Sequence, residues 1–405
     1  MIWSHFAGDG DGPLTTNVDA VSGTAGNDTI DGIVGVSGTY TVGDNINGGS
    51  GTDTLNLLLT SGDSAGGIVA LRNMETVNAR LLGTAATAVT LNAADWSGVA
   101  TLTNASSLAD TVLQVSGLAT TTKVILSGNT DINVGYSNVA TASNAVSIVL
   151  DNAGDFGATG AHTLVGTGLN TANIDLDLAN AGLISSVNVE IRGGSNAARL
   201  EAGSSVTAYT LTGSGSAVLV TDDLISNFDA SAMQGGIDIT FEGASTVNVK
   251  GGASADIFRF ATGAYVSTDT IIGGAGSDTL QVRVGAFNRT ITTSQVESAT
   301  LQYNEDGGGS VSMSGSDALT INLQPSAAGA SISVTDIVSG ATVNLQKAAS
   351  ATIDFASAAT TSTINVGSAG TGVSANALAI TDGGAVTINS IGGSAGKGNG
   401  VSAIT

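Results

Sequence analysis

The chain has 405 residues, with 57 Gly, 2 Pro and no Cys, and its 33 acidic against 11 basic residues give a formal charge of −22. That balance argues against nucleic acid as a partner, because no basic stripe exists to neutralise phosphates. The missing cysteines exclude a disulfide framework and thiol chemistry. Aromatic residues make up only 4% against an apolar fraction of 42%, so a core has to be assembled from Val, Ile, Leu and Ala. Such a core suits a narrow solenoid or thin sandwich better than a bulky enzyme interior. Charged residues are 11% of the chain, too few for a disordered polyelectrolyte. The acidic excess fits a protein that meets divalent cations outside the cell; a simpler reading is that it keeps the chain soluble.

Residues 1–20 read as an irregular arm, with Trp3 and Phe6 beside the loop-like Gly8-Asp9-Gly10-Asp11-Gly12-Pro13. Two readings stand: a flexible arm whose aromatics pack locally, or a segment that docks on a neighbouring subunit with Asp9 and Asp11 near a metal. A basic region followed by an apolar core is lacking, so the N-terminus is not a secretory signal peptide. No apolar run reaches the roughly 18–20 residues of a membrane span.

Residues 21–60 form a first glycine-rich block, GTAGNDTI, then after a gap GDNINGGSGTDTLNL. Residues 246–285 form a second, GGASADIF followed by TDTIIGGAGSDTLQV. Both end in the nonapeptide G-G-x-G-x-D-x-U-x, with U a large apolar residue. Asp44 and Asp53 are one nonapeptide apart, as are Asp269 and Asp278. Two nonapeptides make one turn of a β-roll, so Asp28 should meet Asp53, and Asp256 should meet Asp278. The extra residues around Gly38–Tyr40 and Gly263–Tyr265 are expected to bulge outward. Each block is followed by a glutamate echo, Arg72-Asn73-Met74-Glu75-Thr76-Val77 and Ser294-Gln295-Val296-Glu297-Ser298-Ala299.

Residues 61–245 and 286–405 read as β-rich scaffold. Short runs such as Ala88-Val89-Thr90-Leu91, Val146–Leu150 and Ala341–Leu345 are separated by Gly, Asn, Asp and Ser, which spells strands broken by turns. One short helical turn is conceivable at Asn92–Trp96. The expected fold class is all-β, an elongated β-solenoid or stacked β-layers with two short calcium-binding β-roll segments. A soft boundary falls at Ser226–Ser231.

The blocks carry the chemistry. In this nonapeptide a glycine-rich half-turn binds calcium and a short strand follows. Calcium takes six to eight oxygens in flexible geometry; each half-turn exposes carbonyls and supplies one inward Asp, and glycine permits φ > 0 in the tight turn. On this logic Asp28 and Asp53, with carbonyls near Gly26 and Gly51, form one Ca2+ site. Asp256 and Asp278, with carbonyls near Ala253 and Gly276, form another. Asp44 and Asp269 sit on the opposite side, where they complete a second cage each or only cap turns. The bland alternative is that all these Gly-Asx clusters are ordinary β-turns, and Asp151, Asp155, Asp222 and Asp223 are read that way.

Catalysis finds little support, and the chain is read as not an enzyme. His5 and His162 lack a partner at a recognisable spacing, and neither a Walker motif nor H-E-x-x-H occurs. Paired carboxylates for glycoside chemistry remain open, although the 2 Trp and 5 Tyr offer few platforms for sugars.

The blocks, with NDTI, NINGGSGTDTLNL and the Met74-Glu75-Thr76-Val77 strand, resemble the calcium-binding repeats-in-toxin (RTX) proteins. More narrowly, the chain looks like the calcium-dependent surface-layer proteins exported by type I secretion from Gram-negative bacteria, down to the F-D-A-S phrase at Phe228–Ser231. The resemblance implies folding with Ca2+ after export and self-association into a lattice or filament. Two departures are a C-terminal end without an evident secretion region and blocks of about three half-turns. The leading expectation is an extracellular cell-surface protein that self-assembles into a layer, sheath or fibre, with cell-surface polysaccharide as a candidate further partner. A monomeric adhesin and, behind it, a secreted polysaccharide-degrading enzyme are the alternatives.

Overall fold

Alternation builds the strands. In Thr54–Leu59, Leu55, Leu57 and Leu59 are buried and the residues between them half-buried, as expected of a strand with one face in a core. The computed structural model describes residues 11–401 except 36, 61–66, 83–87, 106, 109–110, 129, 138–143, 155–171, 176–183, 202–204, 222–223, 286–287, 304–308, 326–330, 347–349, 358–359, 368–373, 376–377 and 392–399. Among the described residues every regular element is a strand. Trp3, Phe6, Asp9, both histidines, Asp155, Asp222 and Asp223 lie outside them.

The chain divides into two units, Met1–Asp223 and Leu224–Thr405, with the division just ahead of Ser226–Ser231. Each unit is a parallel β-solenoid. Within the first, Thr29–Val34, Thr54–Leu59, Thr76–Leu81, Thr101–Asn104 and Lys123–Gly128 pair in succession, one strand per coil. A second ladder runs Ala20–Ser22, Asn45–Asn47, Ala70–Arg72 and Trp96–Ser97. Parallel pairing holds successive coils about 4.8 Å apart, so a residue repeats its position once per coil. Ile30, Leu55, Val77, Leu102, Val124, Ile148, Val189 and Leu211 accordingly form one in-register row, all of it buried. Each such side chain contributes about 1.5–3 kcal/mol when fully buried.

The second unit repeats the plan. Ile239, Phe258, Leu280, Ala299, Ile321, Val343, Ile364 and Ile388 stack in register. All are buried except Ile388, which is 39% exposed. Phe228, Phe241, Phe260 and Tyr265 form a chain of ring contacts at 5.5, 4.9 and 5.1 Å between centroids. On the outer face, Asn322, Asn344, Asn365 and Asn389 bond amide to amide across successive coils at 2.7–3.0 Å.

The structure refines three local expectations. Around Tyr40 and Tyr265 the chain keeps exposed residues, Ser37 in one segment and Thr262 and Gly263 in the other, but the tyrosines turn inward: both rings are buried, Tyr40 Oη accepts from Trp96 Nε1 at 3.1 Å, and Tyr265 Oη donates to the Thr290 carbonyl. Apolar rings gain more from the core than their glycine neighbours gain from solvent. Asp151 lies within the strand Asn144–Ala153, opposite Arg192, and not in a turn. Asn92–Trp96 holds one short hydrogen-bonded turn between two strands, closed by Trp96 N donating to the Ala93 carbonyl, and does not extend into a helix.

Candidate metal centre

In each coil of the blocks a short strand ends, the chain turns a corner, and an acid stands one residue before the next strand. Asp28-Thr29-Ile30, Asp53-Thr54-Leu55 and Glu75-Thr76-Val77 show this in the first unit. The pairing register stacks the strands Thr29–Val34, Thr54–Leu59 and Thr76–Leu81, so the acids stack as well. Asp28 N donates to Asp53 Oδ1 at 2.8 Å, and Asp53 N donates to Glu75 Oε2 at 2.8 Å. In the second unit Asp256 N donates to Asp278 Oδ1 at 2.8 Å and Asp278 N to Glu297 Oε2 at 2.7 Å. Asp28, Asp53, Asp256 and Asp278 are essentially inaccessible to solvent.

The structure therefore brings Asp28 to Asp53 and Asp256 to Asp278. It places Asp44 and Asp269 at a different corner. Asp44 accepts from Asp19 N at 2.8 Å and from Thr41 N at 2.7 Å. Asp269 accepts from Val247 N at 2.9 Å and Val266 N at 2.8 Å. These two carboxylates tie each coil to its predecessor. Gly26, Gly51, Ala253 and Gly276 occupy the exposed tips of the turns, where the Gly26 carbonyl packs against Gly51.

The first and second coils of each block differ in one peptide. Thr24 N donates to Asp28 Oδ2 at 2.6 Å and Gly252 N to Asp256 Oδ2 at 2.7 Å. The corresponding residues of the second coils are Gly49 and Gly274, with φ of 99° and 103°, a conformation glycine adopts without a Cβ penalty. Gly49 N turns instead to Asn47 Oδ1 at 3.2 Å. Asp53 Oδ2 and Asp278 Oδ2 are left buried without any hydrogen-bond partner. Such an atom costs about 1–3 kcal/mol, more if charged.

A carbonyl oxygen shares the space of each orphan. A methyl group on Gly48 would collide with both the Asn73 carbonyl oxygen and Asp53 Oδ2; on Gly273 it would collide with the Gln295 carbonyl oxygen and Asp278 Oδ2. The same arrangement recurs in the first coils, where a methyl on Gly23 would meet the Gly48 carbonyl oxygen and Asp28 Oδ2, and one on Gly251 the Gly273 carbonyl oxygen and Asp256 Oδ2; what sets the second coils apart is the missing amide donor. Burial raises the carboxyl pKa of Asp53 and Asp278, and negative charge raises them further, from Asp28 and Glu75 beside Asp53 and from Glu297 beside Asp278. Burial also lifts Asp44, and carries Asp256 and Asp269 to about 6. Among the described residues no three His, Cys, Asp or Glu side chains gather around one point, so a cation here would draw on carbonyl oxygens as well as carboxylates.

Sequence reasoning left Glu75, Glu297 and Asp19 out of the sites. The available signal was the acid-Thr/Ser-apolar triplet that Glu75 and Glu297 share with Asp53 and Asp278. Elsewhere in the first unit, a groove of about 510 Å3 crosses the outer face of the coils past Ile33, Leu58 and Arg80. Its acidic side chain, Asp31, accepts from Asn56. No helix among the described residues is long and apolar enough to cross a membrane. Compared with known proteins, the chain matches no family model, no curated protein and no solved structure.

Proposed function

We propose that this chain is an extracellular structural protein that calcium locks and that self-assembles into a surface layer, sheath or fibre. The observation that carries the reading is the duplicated pair of buried, partnerless carboxylate oxygens, Asp53 Oδ2 and Asp278 Oδ2, each facing a carbonyl oxygen. Hard all-oxygen donor sets suit Ca2+, and the oxygens here fit it: the unpartnered Asp53 Oδ2 and Asp278 Oδ2 at the stacked corners, with turn carbonyls, whereas Asp28 and Asp256 spend their Oδ2 atoms on main-chain amides. Asp44 and Asp269 hold their coils through amides and stand as candidates for further ions. A bound cation would neutralise the stacked acids; the chain's own residues supply the register that brings them together.

Self-association draws support from the edge of the second unit. Ala385–Ser390 pairs with Thr361–Val366 and, among the described residues, with no strand on its other side. Its inward residues Val386 and Ile388 are 36% and 39% exposed. An open edge with apolar side chains templates pairing with another chain, and head-to-tail contacts propagate into filaments or lattices. Light scattering and negative-stain microscopy, without calcium and then at millimolar calcium, test the reading. Sheets or fibres that form with calcium and dissolve with chelator are expected. A folded monomer at every calcium level would sink it and favour an adhesin.

A further inference from the structure

The blocks do not offer their acids equally, and the inequality locates the ion. This inference rests on the reading that the blocks bind a divalent cation. In the first coil of each block the Oδ2 atoms of Asp28 and Asp256 are occupied by main-chain amides. In the second coil the Oδ2 atoms of Asp53 and Asp278 have no donor, although both residues are 0% exposed. The third coil adds a carbonyl and a carboxylate to the second, as the second does to the first, but here no amide fills the acid's Oδ2. The carbonyls belong to Asn73 and Gln295, whose φ angles of 49° and 57° are left-handed. The carboxylates of Glu75 and Glu297 are anchored through Oε2 on the amides of Asp53 and Asp278.

We infer that each block holds its divalent cation at the step between its second and third coils, with Asp53, the Asn73 carbonyl and Glu75 as ligands in one and Asp278, the Gln295 carbonyl and Glu297 in the other. The glutamate is thus a ligand, not a strand-entry residue. Its extra methylene matches the shorter third turn: the strand Asn45–Asn47 is followed by Gly48–Thr52 before Asp53, whereas Ala70–Arg72 is followed only by Asn73-Met74 before Glu75. A proton on Oδ2 donating to the carbonyl would satisfy the same geometry without metal, so the test has to separate the two.

Full-length protein stripped with chelator is titrated with CaCl2 in a calorimeter, as wild type, as Glu75→Gln/Glu297→Gln and as Asp28→Asn/Asp256→Asn. Glutamine keeps length and an oxygen for the Asp53 and Asp278 amides while removing the charge. The expected result is calcium binding by wild type, weakening by more than about tenfold in the glutamine pair, and a change under about threefold in the asparagine pair. No binding by wild type overturns the calcium reading and this inference with it. Binding that survives in the glutamine pair but fails in the asparagine pair overturns the inference alone and returns the ion to the first step. Should a variant not fold, lanthanide-soaked wild-type crystals decide: an anomalous peak between Asp53 and Glu75 supports the inference, and one between Asp28 and Asp53 defeats it.

Discussion

The two blocks lie in different units and share their acids and one glycine-rich turn but little else. The first spaces its stacked acids 25 and 22 residues apart, the second 22 and 19. At the other corner the first stacks Asp19 under Asp44, whereas the second has Val247 under Asp269. Gly23-Thr24-Ala25-Gly26 in one is Gly251-Gly252-Ala253-Ser254 in the other. Yet both leave the same oxygen of the same acid buried and unpartnered, both set a carbonyl against it, and both end on a glutamate. Loop length and corner chemistry vary freely; the order Asp, Asp, Glu does not. That contrast separates what holds the coils from what the proposed ion would use.

The sharpest way to break the comparison is at the glycines. Gly48→Ala and Gly273→Ala force a methyl into a carbonyl of the next coil and into the acid, and each should cost about 3 kcal/mol or roughly that order in urea denaturation. Gly26→Ala should cost under about 0.5 kcal/mol, because the nearest atom to its methyl is Thr24 Oγ1 at 3.5 Å and its counterpart is already Ser254. Equal losses at Gly26 and Gly48 would refute the distinction between tip and floor of the turn.

Next in size are Asp44→Ala and Asp269→Ala. Each strands two amides, of Asp19 and Thr41 or of Val247 and Val266, for about 2–3 kcal/mol. The loss should be the same with and without calcium, measured as a melting shift in both conditions. A loss that appears only with calcium would assign an ion to this corner.

The pH response is the third test. Asp256 and Asp269 have folded pKa values of about 6, above an unfolded value of roughly 3.9. Between these values the folded chain binds more protons than the unfolded one, so stability is fully present below about pH 4 and is lost as pH rises through about 6. Calcium-free protein should therefore melt higher at pH 5 than at pH 7, and saturating calcium should flatten or reverse the slope. A calcium-free melting temperature that rises from pH 5 to 7 would contradict the buried, uncompensated acids.

The smallest effect is expected from Asn344→Ala. It removes two of the three bonds of the outer amide ladder and should lower stability by about 1 kcal/mol without altering calcium binding.

Much of this architecture is legible in the residues. Runs such as Thr54–Leu59 declare strands by their alternation, and Gly48-Gly49-Ser50-Gly51 declares a turn into which Asp53 points. What the residues conceal follows from context. Glycine neighbours make Tyr40 and Tyr265 look like loop tips, but only packing shows that their rings complete a core otherwise made of small side chains. Glu75 and Glu297 sit in turns without glycine, where Asn73 and Gln295 take the left-handed conformation instead, so no nonapeptide marks them. Asp19 follows Thr15-Thr16-Asn17-Val18, and its place under Asp44 becomes visible only through the pairing of Ala20–Ser22 with Asn45–Asn47.

The acids of each block all reach the same way along the stack. Asp53 caps the amide of Asp28, and Glu75 caps the amide of Asp53; the borrower always precedes the lender in the chain. A coil folded without its successor thus carries a bare amide at its corner until the next coil docks. Completion runs from the C-terminal side of each block toward its start, like a zip whose slider starts at the far end, and Glu75 and Glu297 are where the sliders sit.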